Sequence, residues 1–309
     1  MRIPPAPTWI VALGLLASAC GGDGSAAGPT DSTGMGSNGL KLSGIGDSIM
    51  QGFDAAPCDL PICFEQPEYS FAQGTSVEVD SLYLRFEQPG IEFVSATGSE
   101  MVLGSNNAKA QANRLCGQAT RANRIVILLG ANDICNADSV AALPTAETFV
   151  NALGAALATL AAEDCNLPKG SQVHVISVPR VDLLHAAGLA KSGVNCPTIW
   201  HNFGICALAT ESPAETTLQA IATMVDAYNQ AIVDTIASVQ STVDVSRKLE
   251  FTTDYVGTSE NSSFGTYAFV PDDLSNLDCF HPSIQGQRKL ACLAWETWQG
   301  NGAVAGCLE

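Results

Sequence analysis

An α/β fold with a parallel sheet of about five strands is predicted by two features of this 309-residue chain. From Leu40 onward, short apolar runs rich in β-forming residues alternate with longer stretches of helical periodicity, the signature of βαβ units. No internal repeat, heptad run or charge block interrupts them. With 46% hydrophobic residues and 28 glycines, the chain is long enough to bury a sizeable core as one large domain.

In order, the strand candidates are Leu42–Gly46, Ile91–Ala96, Arg124–Gly130, Gln172–Val178 and Leu249–Thr253. Between them, Asn106–Gln118, Ala146–Glu163, Ala214–Ser238 and Ser283–Trp298 read as helices. In the third, Leu218, Ile221, Met224, Val225, Tyr228, Ile232 and Ile236 fall on one face, a stripe for core packing. Val181–Thr210 has weak periodicity, two cysteines, Trp200 and His201, and reads either as a disulfide-pinned loop over a site or as an ordinary surface excursion.

The formal charge is −17, from 14 basic and 31 acidic residues, with no run of Lys or Arg to follow a phosphate backbone. Nucleic acid is therefore not an expected partner, and anionic lipid would repel the chain unless an anchor held it there. The N-terminus offers such an anchor. Arg2 precedes an apolar stretch from Trp9 to Ala19, too short to span a bilayer but the size of a signal-peptide core. It ends in Leu16-Ala17-Ser18-Ala19-Cys20, which resembles the lipobox of bacterial lipoproteins and makes Cys20 the candidate lipid attachment. Cleavage after Ala17-Ser18-Ala19 is the alternative. The organisation expected is a signal peptide over 1–19, a Gly/Ser/Thr/Asp-rich tether over 20–39 and one domain over 40–309, exported from a bacterial cell and either lipid-anchored to its envelope or secreted.

Cysteine number points to export as well: 11 cysteines less Cys20 leave ten, an even set for an oxidising compartment. The short-range pairs expected are Cys58 with Cys63, Cys196 with Cys206 and Cys292 with Cys307. None has the spacing of a zinc site, and no metal or organic cofactor is implied.

Ligands of open parallel sheets bind at the carboxyl ends of the strands, so four strand ends carry the chemistry. Gly44-Ile45-Gly46-Asp47-Ser48 turns a strand into glycines and then a serine before the helical Ile49-Met50-Gln51, which suits a nucleophile whose backbone N–H also points free. Thr97-Gly98-Ser99 lets the backbone approach a substrate. Gly130-Ala131-Asn132-Asp133 presents a side-chain amide that can donate to developing negative charge, although an Asn/Asp turn would look the same. Asp278-Cys279-Phe280-His281 spaces a carboxylate and an imidazole so that one can orient the other. Of the other histidines, His174 sits in an apolar strand pattern as a core residue, His185 lies in a helix-like stretch near Asp182, and His201 is a substrate-contact candidate.

Taken in order, Gly-Asp-Ser, a glycine, Gly-x-Asn-Asp and Asp-x-x-His resemble the sequence blocks of SGNH (GDSL-type) hydrolases, over about residues 40 to 300. Gly130 to Cys135, and Asp278 to His281 followed by Gly286-Gln287 and Leu290-Ala291, look like the phospholipase-B-like branch. The resemblance implies a flavodoxin-like α/β/α sandwich and serine-dependent ester hydrolysis. It makes Ser48 the nucleophile, His281 the general base and Asp278 its partner, with Ser48 N–H, Gly98 N–H and the Asn132 amide as the oxyanion hole. The alternatives are deacetylation of an acetylated polysaccharide on the same fold and a non-catalytic surface lipoprotein that binds glycan or lipid.

Overall fold

The computed structural model describes residues 39–58, 63–255, 268–301 and 307. The expected signal peptide and Cys20, with all of the tether but Gly39, lie outside those residues. Five strands form one parallel sheet: β1 (Lys41–Gly46), β2 (Gly90–Ile91), β3 (Arg124–Leu128), β4 (Gln172–Val175) and β5 (Glu250–Thr253). Their order across the sheet is β2-β1-β3-β4-β5. This is the flavodoxin-like order, in which the chain leaves β1 to one side, then crosses to the other, and the crevice opens between the ends of β1 and β3.

The connections contain α1 (Leu82–Arg85), α2 (Ala108–Gly117), α3 (Ala131–Cys135), α4 (Ala146–Ala161), α5 (Leu184–Ala190), α6 (Cys196–Phe203), α7 (Ala207–Thr210) and α8 (Glu215–Thr242), and α9 (Ile284–Trp298) follows β5. Helices α2, α4 and α8 pack side by side, and α1 packs against α9. The layers follow from strand alternation. His174 in β4 reaches Thr297 of α9 at 3.1 Å and stacks on Trp298, so Val173 and Val175 turn to the opposite face. The expected stripe on α8 supplies Ile221, Val225, Tyr228, Ile232 and Ile236 to the core, with Leu218 and Met224 half-buried. Tyr228 stacks on Phe149 of α4 at 4.3 Å.

Two elements differ from expectation. The segment expected as strand Ile91–Ala96 has only Gly90–Ile91 in the sheet. Beyond it, the N–H groups of Val94 and Ala96 still donate to Gly44 and Gly46 at 3.1 Å. The Glu92 carbonyl, however, is taken by Ser43 Oγ at 2.6 Å and Gln118 Nε2 at 3.0 Å instead of by a backbone N–H of β1. The segment Val181–Thr210 is largely helical, holding α5, α6 and α7. Helices this short show no periodicity, because tertiary contacts and disulfides hold them.

Among the described residues the disulfides are Cys58–Cys63, Cys116–Cys165, Cys135–Cys206, Cys196–Cys279 and Cys292–Cys307. Two of the expected pairs form. Cys196 does not pair with Cys206, because Cys196 opens α6 and Cys206 lies beyond its far end. An eight-residue helix separates them by roughly 12 Å, well past the 7 Å that a disulfide can bridge.

Candidate active site

Strand β1 ends where a side chain replaces its neighbour. Gln111 of α2 accepts from Gly46 N at 2.8 Å and donates to Gly46 O at 2.9 Å. Gly46 is required there, since a Cβ would lie 2.8 Å from the Cβ of Met50. The chain then folds into turns instead of the helix expected at Ile49-Met50-Gln51. Asp47 Oδ1 accepts from Ile49 N at 2.9 Å, and Gln51 N and Phe53 N both donate to Ser48 O at 3.1 Å. Ser48 is thus held at the tip of the turn with its hydroxyl on the cavity side.

The partner of Ser48 comes from the segment before α9. Asp278 Oδ1 accepts from the backbone N–H of Phe280 and His281, at 2.9 and 3.0 Å. These two bonds aim Oδ2 at His281 Nδ1, 2.5 Å away. The other ring nitrogen, Nε2, is 2.7 Å from Ser48 Oγ. Residues 233 apart in sequence are brought together by three ties. Gln287, buried in α9, donates to Ile49 O at 3.0 Å and accepts from Phe71 N at 2.9 Å. Ile284 N donates to Ala55 O at 3.0 Å, and Ser275 Oγ donates to Asp54 O at 2.6 Å. Phe53 packs on the imidazole with ring centroids 4.7 Å apart.

On the far side of the cavity, α3 follows β3. Asp133, buried, accepts from Met101 N at 2.6 Å and Val102 N at 3.0 Å, fastening α3 to the turn that holds Gly98. Asn132 donates one amide hydrogen to Ser99 O at 2.9 Å, and it lines the cavity with Gly98. An amide nitrogen carries two hydrogens, so the Ser99 bond leaves one over. Gly98 takes φ +72°, a left-handed conformation that favours glycine. Among the described residues, the N–H groups of Ser48 and Gly98 donate to no protein acceptor.

The cavity has a volume of about 360 Å³, and its apolar wall is Phe53, Phe203, Ile205, Leu277 and Phe280. Phe203 and Ile205 come from the α6–α7 segment, which two disulfides fasten to this site: Cys206 to Cys135 at the end of α3, and Cys196 to Cys279 between Asp278 and His281. Sequence reading missed Phe53, Phe203 and Asp54 as parts of the site. Phe53 and Asp54 lie five and six residues beyond Ser48, just past the Ile49-Met50-Gln51 segment that the sequence presents as helical.

Electrostatically the site is acidic around a single imidazole. Burial lowers the pKa of His281, but the Asp278 carboxylate and its hydrogen bond, with Asp47 and Asp54 behind it, more than offset this and hold it above 6.5. Burial pushes the Asp47 carboxyl up to about 6 and that of Asp133 to about 7, against the hydrogen bonds each accepts. The remaining histidines lie elsewhere. His174 is fully buried between Thr252 and Thr297, and burial lowers it to about 3. His185 Nδ1 meets Thr210 O at 2.9 Å. His201, the substrate-contact candidate, is exposed, 3.6 Å from Glu211, and does not line the cavity.

The model of the family described as GDSL-like Lipase/Acylhydrolase matches residues 43–293. The chain belongs to this family. As a GDSL-family protein it is a hydrolase acting on esters, on the flavodoxin-like α/β/α frame described above. A comparison with curated protein sequences finds no match. Among solved structures, this GDSL hydrolase is similar to an extracellular lipase from Streptomyces rimosus, at 16% identity and TM-score 0.45, covering 85% of this chain and 100% of that one. It is also similar to a carbohydrate acetylesterase from Sinorhizobium meliloti, at 12% identity and TM-score 0.46, covering 84% and 99%. An aryl esterase of M. smegmatis matches at 10% identity and TM-score 0.48, covering 84% and 99%.

Proposed function

We propose that this protein hydrolyses carboxylic esters through an acyl-enzyme on Ser48. The observation that carries the reading is the imidazole of His281, which spans from Asp278 Oδ2 at 2.5 Å to Ser48 Oγ at 2.7 Å. His281 Nε2 takes the hydroxyl proton as Ser48 Oγ attacks the ester carbonyl carbon, and Asp278 fixes the tautomer and stabilises the imidazolium. The carbonyl oxygen gains the negative charge and is held by Ser48 N–H, Gly98 N–H and the Asn132 amide. Collapse expels the alcohol, which takes its proton from His281. Water, deprotonated by His281, then releases the acid and returns Ser48.

The apolar wall supports an acyl chain longer than acetyl, with the alcohol part toward solvent. The disulfides fit an oxidising compartment, and with the signal-like N-terminus they support export; the lipobox resemblance at Cys20 supports lipid attachment there, with plain cleavage after Ala19 as the alternative. The test is hydrolysis of p-nitrophenyl esters from acetyl to palmitoyl by the parent and by Ser48→Ala. Activity that peaks beyond acetyl and is lost in the variant is the expected result. Activity confined to acetyl would favour a glycan deacetylase, and equal rates in both proteins would remove Ser48 as nucleophile.

A further inference from the structure

Asp54 is 1% exposed and lines the cavity beside Asp278, yet the two-step chemistry gives it nothing to do. Its backbone is fastened to the loop that carries Asp278 and His281: the Asp54 carbonyl accepts from Ser275 Oγ at 2.6 Å, and Ser275 N donates to His281 O at 2.8 Å. Its Oδ1 accepts from Cys63 N at 2.5 Å. Among the described residues its buried Oδ2 meets no hydrogen-bond partner, and Asp278 stands beside it on the cavity lining, its charge acting on the Asp54 carboxyl.

Two carboxylates can only accept, so as a doubly ionised pair they leave Asp54 Oδ2 orphaned and repel each other. A proton between them removes both costs, and the bonds say where it resides. Asp278 already accepts three N–H groups, two on Oδ1 and the imidazole on Oδ2, which is the pattern of a carboxylate. The proton then belongs on Asp54 Oδ2 and points at Asp278.

We propose that Asp54 is a positioning residue for this site: as pH falls it takes up a proton on Oδ2 and donates that hydrogen to Asp278, and when ionised it sets a further negative charge behind His281. The inference rests on the reading of His281 as general base. Among the described residues, the charged groups facing Asp54 are Asp278 and His281, and those facing His281 are Asp278, Asp47 and Asp54. Burial, then the neighbouring Asp278 charge, raises the Asp54 carboxyl to about 6. Ionised Asp54 therefore supports the imidazolium that forms during attack, and this support is withdrawn as the pH falls through that range.

Asp54→Asn tests this, because its amide keeps an acceptor for Cys63 N and supplies a fixed N–H to Asp278 while carrying no charge. The His281 ring, followed by nitrogen-15 NMR, is expected to titrate about one pH unit lower in Asp54→Asn than in the parent, as removal of a nearby charge dictates. The acid limb of kcat/KM moves with it. In the parent, the Asp54 carboxyl carbon, assigned through its own backbone, titrates well above the ordinary aspartate value of about 3.9. An unmoved His281 titration in Asp54→Asn, or an ordinary Asp54 titration in the parent, would overturn the proposal. The parent measurement stands even if the variant does not fold. Neither NMR readout needs turnover, so a protein inert on every ester would sink the Ser48 reading and leave this one to be decided by the titrations.

Discussion

Trp200 donates its indole N–H to the carbonyl oxygen of Cys279, 3.2 Å away, at one of the two residues between Asp278 and His281. The ring is fully buried in α6. The same helix begins at Cys196, whose disulfide reaches the same residue, so one short helix grips the Asp278–His281 loop by a hydrogen bond and a covalent bond. Trp200→Phe keeps most of the packing and orphans the Cys279 carbonyl, which costs about 1–3 kcal/mol. We expect a lower Tm and a kcat reduced more than KM is changed, because the loop that sets the Ser48–His281 distance loosens. Calorimetry and steady-state kinetics check both, and a kcat equal to the parent's would show that the disulfide alone suffices.

The hydrogen-bonded arrangement of Ser48, His281 and Asp278 was legible because each part of it is local. Ser48 follows a glycine turn at a strand end, and two residues separate Asp278 from His281, so each half of the site is written in a few consecutive residues. What was not legible is long-range. The partner of Cys196 is 83 residues away, and proximity in sequence favoured Cys206, which the intervening helix holds out of reach. Asp54 carries no motif of its own, since its meaning depends on Asp278 and Ser275 arriving from the far end of the chain. The edge strand β2 was overestimated because apolar alternation cannot show that Ser43 and Gln118 side chains claim the Glu92 carbonyl.

Asn132→Ala should separate binding from catalysis. The side chain stands at the cavity, and α3 is held in place independently by Asp133 on Met101 N and Val102 N. If the amide donates to the oxyanion, its removal lowers kcat by roughly 10²–10³-fold. The folded structure should survive, since only one bond, to Ser99 O, is lost. Kinetics on a short-chain p-nitrophenyl ester, beside circular dichroism of the same sample, gives the answer; a loss under threefold would exclude Asn132 from the oxyanion hole.

Phe203 offers a test of the acyl wall. It lines the cavity yet is 57% exposed, so its truncation removes wall surface at little cost to folding. Phe203→Ala should raise KM for octanoyl and longer esters severalfold while leaving acetyl hydrolysis near the parent value. Equal effects on all chain lengths would place the acyl chain elsewhere in the cavity.

Stability should fall as the pH rises from 5 to 8. Burial raises Asp47 and Asp54 to about 6, and Asp133 and Asp254 to about 7. Each folded carboxyl binds its proton more tightly than in the unfolded chain, where the value is near 3.9. Between about pH 4 and 7 the native state therefore holds more protons than the unfolded state, and its stability declines as they leave. His281, raised above 6.5, acts in the same direction: its contribution is full below the unfolded value and is lost as pH rises through the folded one. His174, lowered to about 3, opposes them between about pH 3 and 6.5 as a single group. Differential scanning calorimetry at pH 5, 6.5 and 8 should give a decreasing Tm. Asp254→Asn isolates one contributor, because the amide can still accept from Ser177 N and meet Ser177 Oγ, as the carboxylate does at 2.6 and 2.9 Å. The variant should gain Tm at pH 8 and little at pH 5, whereas an equal gain at both would mean that its effect is packing and not the proton.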